Sequence, residues 1–267
     1  MLEKIMTGPV KVFRSGRSVG DFVPYLVHFF LVEDVLIDTS CAWVRSEIIK
    51  ALEGESISRI VNTHHHEDHV GNNRAVQEKF GAEIYAHPGA LPFLENPRAL
   101  DLLPYQLQVW AYPEPSQGLP LGDHFQAGRY RFEVIHTPGH CDTHVSFYEP
   151  EQRWLFTGDL FCGKGFKYLR ADENYHLIIE SLQKLAQLPV DTVFCSLLGV
   201  VPNGQEALIA KLDFMQQLRD RVLSLNRQGL SPQEIRIEVL GEEEAMTHLT
   251  GGHYSKQNTV DSILGIL

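Results

Sequence analysis

Two apolar runs rich in β-forming residues, 23–32 (VPYLVHFFLV) and 35–38 (VLID), are separated by Glu33-Asp34, and this pattern predicts a hairpin. Val44, Ile48, Ile49 and Leu52 then recur at helical spacing until Gly54 stops them. Residues 60–63 (IVNT) form a short buried strand that runs straight into a histidine cluster. A helix follows through Ala75, Val76, Lys79 and Phe80 to a terminal Gly81, and then a strand at 83–86. Strand, helix, strand is the rhythm of an α/β layered domain.

Seven of the fourteen prolines fall between Pro88 and Pro120, together with Tyr105, Trp110 and Tyr112. Proline at that density forbids long regular elements, so an irregular insertion with short helical turns is expected. It either covers a site or packs its aromatics on the body. Strand patterns resume at 130–136, 145–148 and 154–156. A helix through Leu177, Ile178, Leu182 and Leu185 precedes a strand at 192–195. From Glu206 the chain reads as helical, with Leu208, Leu212, Met215 and Leu218 in one stripe. Ser231-Pro232-Gln233-Glu234 carries a Ser cap, a first-position Pro and a Glu three residues on. A last short helix is expected near Ser255. With no short repeat and no low-complexity linker, the expectation is one domain over 1–205 and a helical extension over 206–267 packed on it.

Composition narrows the function classes. The chain has 267 residues, 43% hydrophobic, with 23 Lys and Arg against 34 Asp and Glu. The net charge of −11 argues against general affinity for nucleic-acid phosphates or anionic lipid. No apolar run approaches the roughly 18 to 20 residues that span a bilayer, and the first residues lack the pattern of a signal peptide. A cytoplasmic protein acting on a small molecule is the expectation. Cys41, Cys141, Cys162 and Cys195 form no CxxC pair, which argues against a disulfide scaffold or a thiolate zinc knuckle. Histidine is the unusual component: seven of thirteen fall within 64–69 and 136–144.

Thr63-His64-His65-His66-Glu67-Asp68-His69 places ligand types at 64, 66, 68 and 69. Alternate residues of an extended segment point the same way, so His64 and His66 can converge on one point. The following turn can bring Asp68 and His69 toward a second point. Neutral imidazoles and carboxylates suit zinc, iron or manganese. Thr137-Pro138-Gly139-His140 and Thr157-Gly158-Asp159 each follow a strand, adding a third histidine and an acid able to bridge two metals.

These three motifs, HxHxDH, TPGH and TGD, resemble the metallo-β-lactamase superfamily, and within it the glyoxalase II-like HxHxDH group. The resemblance covers residues 10–205. It implies a four-layer αββα sandwich of two mixed β-sheets flanked by helices, with 1–205 as the catalytic domain. It also implies two divalent metals, zinc first with iron or manganese as alternatives. His64, His66 and His140 would hold one metal and Asp68 and His69 the other, with Asp159 between them.

One family position is missing. A strand at 192–195 should lead into a Gly-His-Gly-like turn, yet Leu197 or Leu198 stands where that histidine is expected. Three outcomes follow: water fills the place and the second site is weak, another side chain such as His253 substitutes, or one metal suffices. Of the remaining histidines, His65 has the wrong parity and should point away from the metals, and His144 is placed to support His140. The others are expected in ordinary structural roles, and Cys162 as a small buried residue. Lys164, Lys167, Tyr168 and Arg170 could bind an anionic group or form a solvated loop.

The resemblance implies a hydrolase that uses metal-bound hydroxide on a thioester, lactone or phosphodiester, with Asp68 orienting the nucleophile and passing a proton to the leaving group. The alternatives are a mononuclear iron oxygenase acting on a thiol or persulfide, and a non-catalytic metal-binding relative.

Overall fold

The computed structural model describes residues 1–165 and 167–267. A seven-stranded sheet runs β1 (Leu2–Thr7), β2 (Val10–Ser15), β3 (Val27–Val32), β4 (Val35–Ile37), β5 (Arg59–Val61), β6 (Glu83–Ala86) and β7 (Leu119–Pro120) in spatial order. β1 to β4 pair antiparallel and β4 to β7 parallel. The second sheet contains β8 (His124–Ala127), β9 (Tyr130–His136), β10 (Val145–Glu149), β11 (Trp154–Phe156), β13 (Thr192–Cys195) and β14 (Gly199–Pro202). Its order is β14-β13-β11-β10-β9-β8, with only β11 and β13 parallel. A two-stranded ribbon pairs β12 (Leu169–Arg170) with β15 (Tyr254–Ser255). Both large sheets are mixed.

Side-chain alternation sorts the core into three seams. In the first sheet Val12, Phe30, Val32, Val35, Ile37 and Val61 face Phe132, Phe147, Phe156 and Phe194 of the second. Their neighbours Phe13, Phe29, Leu31, Leu36, Ile60 and Ile84 face outward against α1 (Arg45–Ala51) and α3 (Asn73–Phe80). This double burial is why β3 reads as a continuous apolar run rather than an alternating one. The outer face of the second sheet, including Leu155, Val193 and Cys195, is covered by α6 (Tyr175–Ala186), α7 (Gly204–Arg227), α8 (Pro232–Leu240) and α10 (Lys256–Leu264). Helix, sheet, sheet and helix make four layers, so the αββα arrangement implied by the motifs is the observed one.

The hairpin read at 23–38 is not the first element. β1 and β2 precede it, and β1 shows no apolar pattern because four of its six residues are exposed at the sheet edge. Strand β3 also begins later than its apolar run. Residues 23–26 pack against Gly16, where a Cβ would lie 2.1 Å from the Tyr25 carbonyl oxygen.

The insertion forms short pieces: α4 (Leu91–Glu95), α5 (Pro104–Val109) and two 3₁₀ turns. Ser231 and Glu234 make the reciprocal cap read from the sequence, and Ser255 caps α10. Two further short helices are α2 (Glu67–Val70) and α9 (Ala245–Leu249). No helix among the described residues is long and apolar enough to cross a membrane.

Candidate metal centre

Each ligand-type residue sits just past a strand end on the same edge of the sandwich. His64 and His66 follow β5. Asp68 and His69 lie on the single turn α2, for which His66 is the N-cap. His140 ends the turn after β9, and Asp159 the turn after β11. Two glycines make these turns possible. Gly139 has φ 132° and lies against α6, where a Cβ would come within 2.5 Å of the Ile178 nitrogen. Gly158 has φ 47° and passes so close to His144 Nε2 that a Cβ would meet it at 2.7 Å. No other residue fits either place without displacing backbone or a buried ring.

The side chains meet in two overlapping groups, His64 with His66 and His140, and His64 with His69 and Asp159. Within each group the nearest nitrogen and oxygen atoms all lie within 4.8 Å of one another. His66 Nδ1 faces His140 Nε2 across 2.9 Å. His69 Nε2 lies 3.2 Å from Asp159 Oδ1 and 3.8 Å from Asp68 Oδ2, and His140 Nε2 lies 3.5 Å from Asp159 Oδ2. Asp68 therefore stands at the rim of the cluster.

Outer partners fix which nitrogen each ring turns inward. His69 Nδ1 donates to Asp38 Oδ2 at 2.8 Å, which turns Nε2 toward Asp159. Thr63 also binds Asp38, its backbone N–H at 2.8 Å and its hydroxyl at 2.7 Å, and His64 Nδ1 lies 3.0 Å from that hydroxyl. His140 Nδ1 donates to Glu173 Oε1. The result is that His64 Nε2 and His69 Nε2 are buried with no hydrogen-bond partner. A buried imidazole lone pair without a donor on His64, next to a His69 ring nitrogen that faces a carboxylate, makes a position that draws a cation.

Electrostatics agree with the geometry. Burial, reinforced by the neighbouring imidazoles, holds His64 well below its usual pKa. Burial, then Arg170 and His140, does the same for His66, so both rings are neutral and ready to coordinate. His69 behaves oppositely. Burial alone would lower it, but Asp159, Asp68 and Asp38 together carry it well above the ordinary value. Three carboxylates around one ring mark a position that draws positive charge.

Asp38 and Glu173 had no place in the sequence reading. Asp38 had a visible signal, an acid closing the apolar run VLID on the strand beside the histidine strand, and its φ of 63° is where β4 turns under His69. Glu173 lies 33 residues from His140 and has no local signature. His65 points away as its parity predicts, stacked on Phe93 at 4.3 Å with Nδ1 on the Thr143 hydroxyl. His144 supports Asp159 rather than His140: its Nε2 accepts the Asp159 backbone N–H at 3.3 Å. Cys162 Sγ lies 2.9 Å from the Asp159 carbonyl oxygen.

At the turn after β13, Leu197 packs into the helical seam and Leu198 is exposed. Ser196 is the residue that meets the cluster, with its hydroxyl within hydrogen-bond reach of Asp159 Oδ1 and 2.8 Å from the Gly158 carbonyl. His28 holds this turn from β3, with Nδ1 2.9 Å from the Ser196 carbonyl. His253 does not take the missing place. Its Nδ1 faces the Tyr105 hydroxyl at 2.6 Å and its Nε2 faces Asp172 at 3.5 Å, because β15 seats it beside the insertion.

The wall of the site joins parts distant in sequence. Tyr105 and Tyr25 both meet the Trp110 ring edge-on. Gln106 Nε2 donates to Glu67 Oε1 at 2.9 Å, and burial, with Asp68 beside it, pushes that carboxyl up to about 7. Of the four residues considered for an anionic group, Lys164 and Lys167 are exposed, while Arg170 is buried against His66.

Comparison with known proteins agrees with this geometry. The family model described as "Metallo-beta-lactamase superfamily" matches residues 25–196. A protein of Pelagibacter ubique named hydroxyacylglutathione hydrolase is 32% identical over 176 residues, 62% of this chain and 64% of that protein. The chain spans less than two thirds of the length of the first such curated relatives, which include the Brucella anthropi and Brucella ovis proteins of that name. Among solved structures, a beta-lactamase domain protein from Burkholderia ambifaria covers 99% of this chain and 88% of its own at TM-score 0.73 and 17% identity, a likeness of fold. The structure of TTHA1623 in a di-iron-bound form is 30% identical, with TM-score 0.54, covering 72% of this chain and 96% of its own. This chain belongs to the metallo-beta-lactamase superfamily.

Proposed function

We propose that this chain is a metal-dependent hydrolase that cleaves an ester-like bond of a small molecule. His64, His66 and His140 would hold one divalent ion and Asp68 and His69 a second, with Asp159 within reach of both His69 and His140. The observation that carries this reading is the buried Nε2 of His64, without a hydrogen-bond partner among the described residues, beside the His69 Nε2 that faces Asp159, each on a ring whose other nitrogen is engaged. A bound zinc, iron or manganese ion would supply water of pKa near about 7 and draw off the charge that develops on the substrate oxygen. Asp38 and Glu173 keep the rings in the tautomer that presents lone pairs inward. Asp68, whose pKa is raised by burial and by Asp159, takes up the proton of the attacking water and delivers it to the leaving group.

Zinc leads because the donors are imidazole and carboxylate. Iron is the second reading, favoured by the di-iron form of the 30% identical structure. With Leu197 turned into the helical seam, the second position has fewer protein donors and holds its metal more weakly. A single-iron oxygenase is the limiting form of that reading. Among substrates a thioester comes first, since the curated relatives are named for hydrolysis of an acylglutathione; a lactone or phosphodiester comes next. A cytoplasmic setting is part of the same proposal.

The test is hydrolysis of acylglutathione, lactone and phosphodiester panels by reconstituted protein, with oxygen consumption followed in parallel. Metal-dependent hydrolysis that Asp68→Ala abolishes supports the reading. Hydrolysis that survives Asp68→Ala, or oxygen uptake without hydrolysis, rejects it.

A further inference from the structure

We propose that Arg170 is the receptor for an anionic oxygen of the substrate, on a carboxylate or a phosphoryl group, held beside the first metal position. The proposal deepens the metal-centre reading above and rests on it.

Arg170 is 7% exposed. Its Nε and Nη2 are taken by the two oxygens of Asp172, at 2.9 and 2.7 Å, which locks the plane of the guanidinium. The remaining nitrogen, Nη1, reaches 3.1 Å from His66 Nδ1, the same atom that faces His140 Nε2. Once His66 Nδ1 is committed to a cation, Nη1 is left with two N–H groups and no acceptor. A fixed positive charge, itself buried, then stands next to a second one. An anionic oxygen between them answers both deficits, accepting from Nη1 and separating the two charges.

Among the described residues no carboxylate bonds to Nη1; Glu173 accepts from the Arg170 backbone N–H and from His140 instead. Among the described residues the one ion pair of Arg170 is with Asp172, and Glu67 is already engaged by Gln106. Tyr254 stands directly opposite Arg170 in the β12–β15 ribbon, so the two side chains share a face. Among the described residues no partner accompanies the Tyr254 hydroxyl, which is available as a second donor. Because β15 follows α7 and α8, the C-terminal extension builds the substrate side of the site while the sandwich core builds the metal side.

The experiment is titration calorimetry of metal-reconstituted protein with inorganic phosphate and with acetate. Metal content is read on the same samples and folding by thermal melt. Arg170→Gln should weaken anion binding by at least about tenfold with metal content unchanged. Arg170→Lys, which keeps the charge but not the fork, should fall between; it carries the test if the Gln variant does not fold. Tighter binding of phosphate than acetate assigns a phosphoryl substrate, and the reverse a carboxylate. Unchanged affinity in both variants at full metal content overturns the proposal, as does a wild type that binds neither anion. A wild type that retains no metal overturns the metal-centre reading instead.

Discussion

Asp38 Oδ2 stands 2.8 Å from His69 Nδ1, and the same carboxylate accepts both the backbone N–H and the hydroxyl of Thr63. One buried acid thereby orients a ring at one metal position directly and His64, through Thr63, at the other. Asp38→Asn keeps the shape but replaces an acceptor with a donor on one side. It should weaken metal affinity by about 10- to 100-fold, measured by chelator competition, while the fold persists. Unchanged affinity would show that Asp38 only supports the strand end.

The insertion is tied to the C-terminal extension through the Tyr105 hydroxyl and His253 Nδ1, 2.6 Å apart. Tyr105→Phe removes that bond and nothing else. Amide exchange across residues 88–120 should accelerate while the sandwich strands keep their protection. Equal exchange in the two proteins would mean the insertion is held by its aromatic packing alone.

His28 gives the fold a pH dependence separate from the metal cluster. Burial lowers its pKa below 6.5, partly offset by the bond to the Ser196 carbonyl. The unfolded chain therefore binds the proton more readily than the folded one. The contribution of His28 is complete above pH 6.5 and is lost as pH falls through the lower, folded-state value. Urea midpoints should drop more from pH 7.5 to 5 in the wild type than in His28→Gln. Parallel curves would contradict the assignment.

Phe156 stacks on Phe194 at 4.5 Å and meets Phe30 and Phe132 edge-on in the seam between the sheets. Phe156→Ala should cost about 3–5 kcal/mol in chemical denaturation. A loss below about 1 kcal/mol would mean that the seam collapses around the gap.

The site was legible where its residues lie close together in sequence. HxHxDH, TPGH and TGD each place ligand-type residues of the candidate site at a strand end, and a strand end is readable from an apolar run that stops. Glu173 was not, because it acts on a ring 33 residues away and only the tertiary fold sets that distance; Asp38 was visible as an acid closing an apolar run, but not as the partner of a ring 31 residues away. His144 differs from its expected place for a related reason: spacing puts it near His140, but the turn after β11 brings the Asp159 backbone N–H to its Nε2. Several buried strands were legible from apolar patterning, whereas β1, exposed on the sheet edge, and β2, whose buried positions are interrupted by Lys11 and Arg14, were not. The absence of the expected histidine was plain in the letters. That Leu197 turns into the helical seam and Ser196 reaches Asp159 needed the fold.

The most direct test of the account is the metal content of purified, reconstituted protein, measured by elemental analysis alongside the double variant His66→Ala/His140→Ala. At least one tightly held zinc or iron per chain is expected, with any second equivalent more easily removed by chelator, and loss of the tight equivalent in the double variant. A wild type that retains no transition metal, or a double variant that retains as much as the wild type, would contradict it.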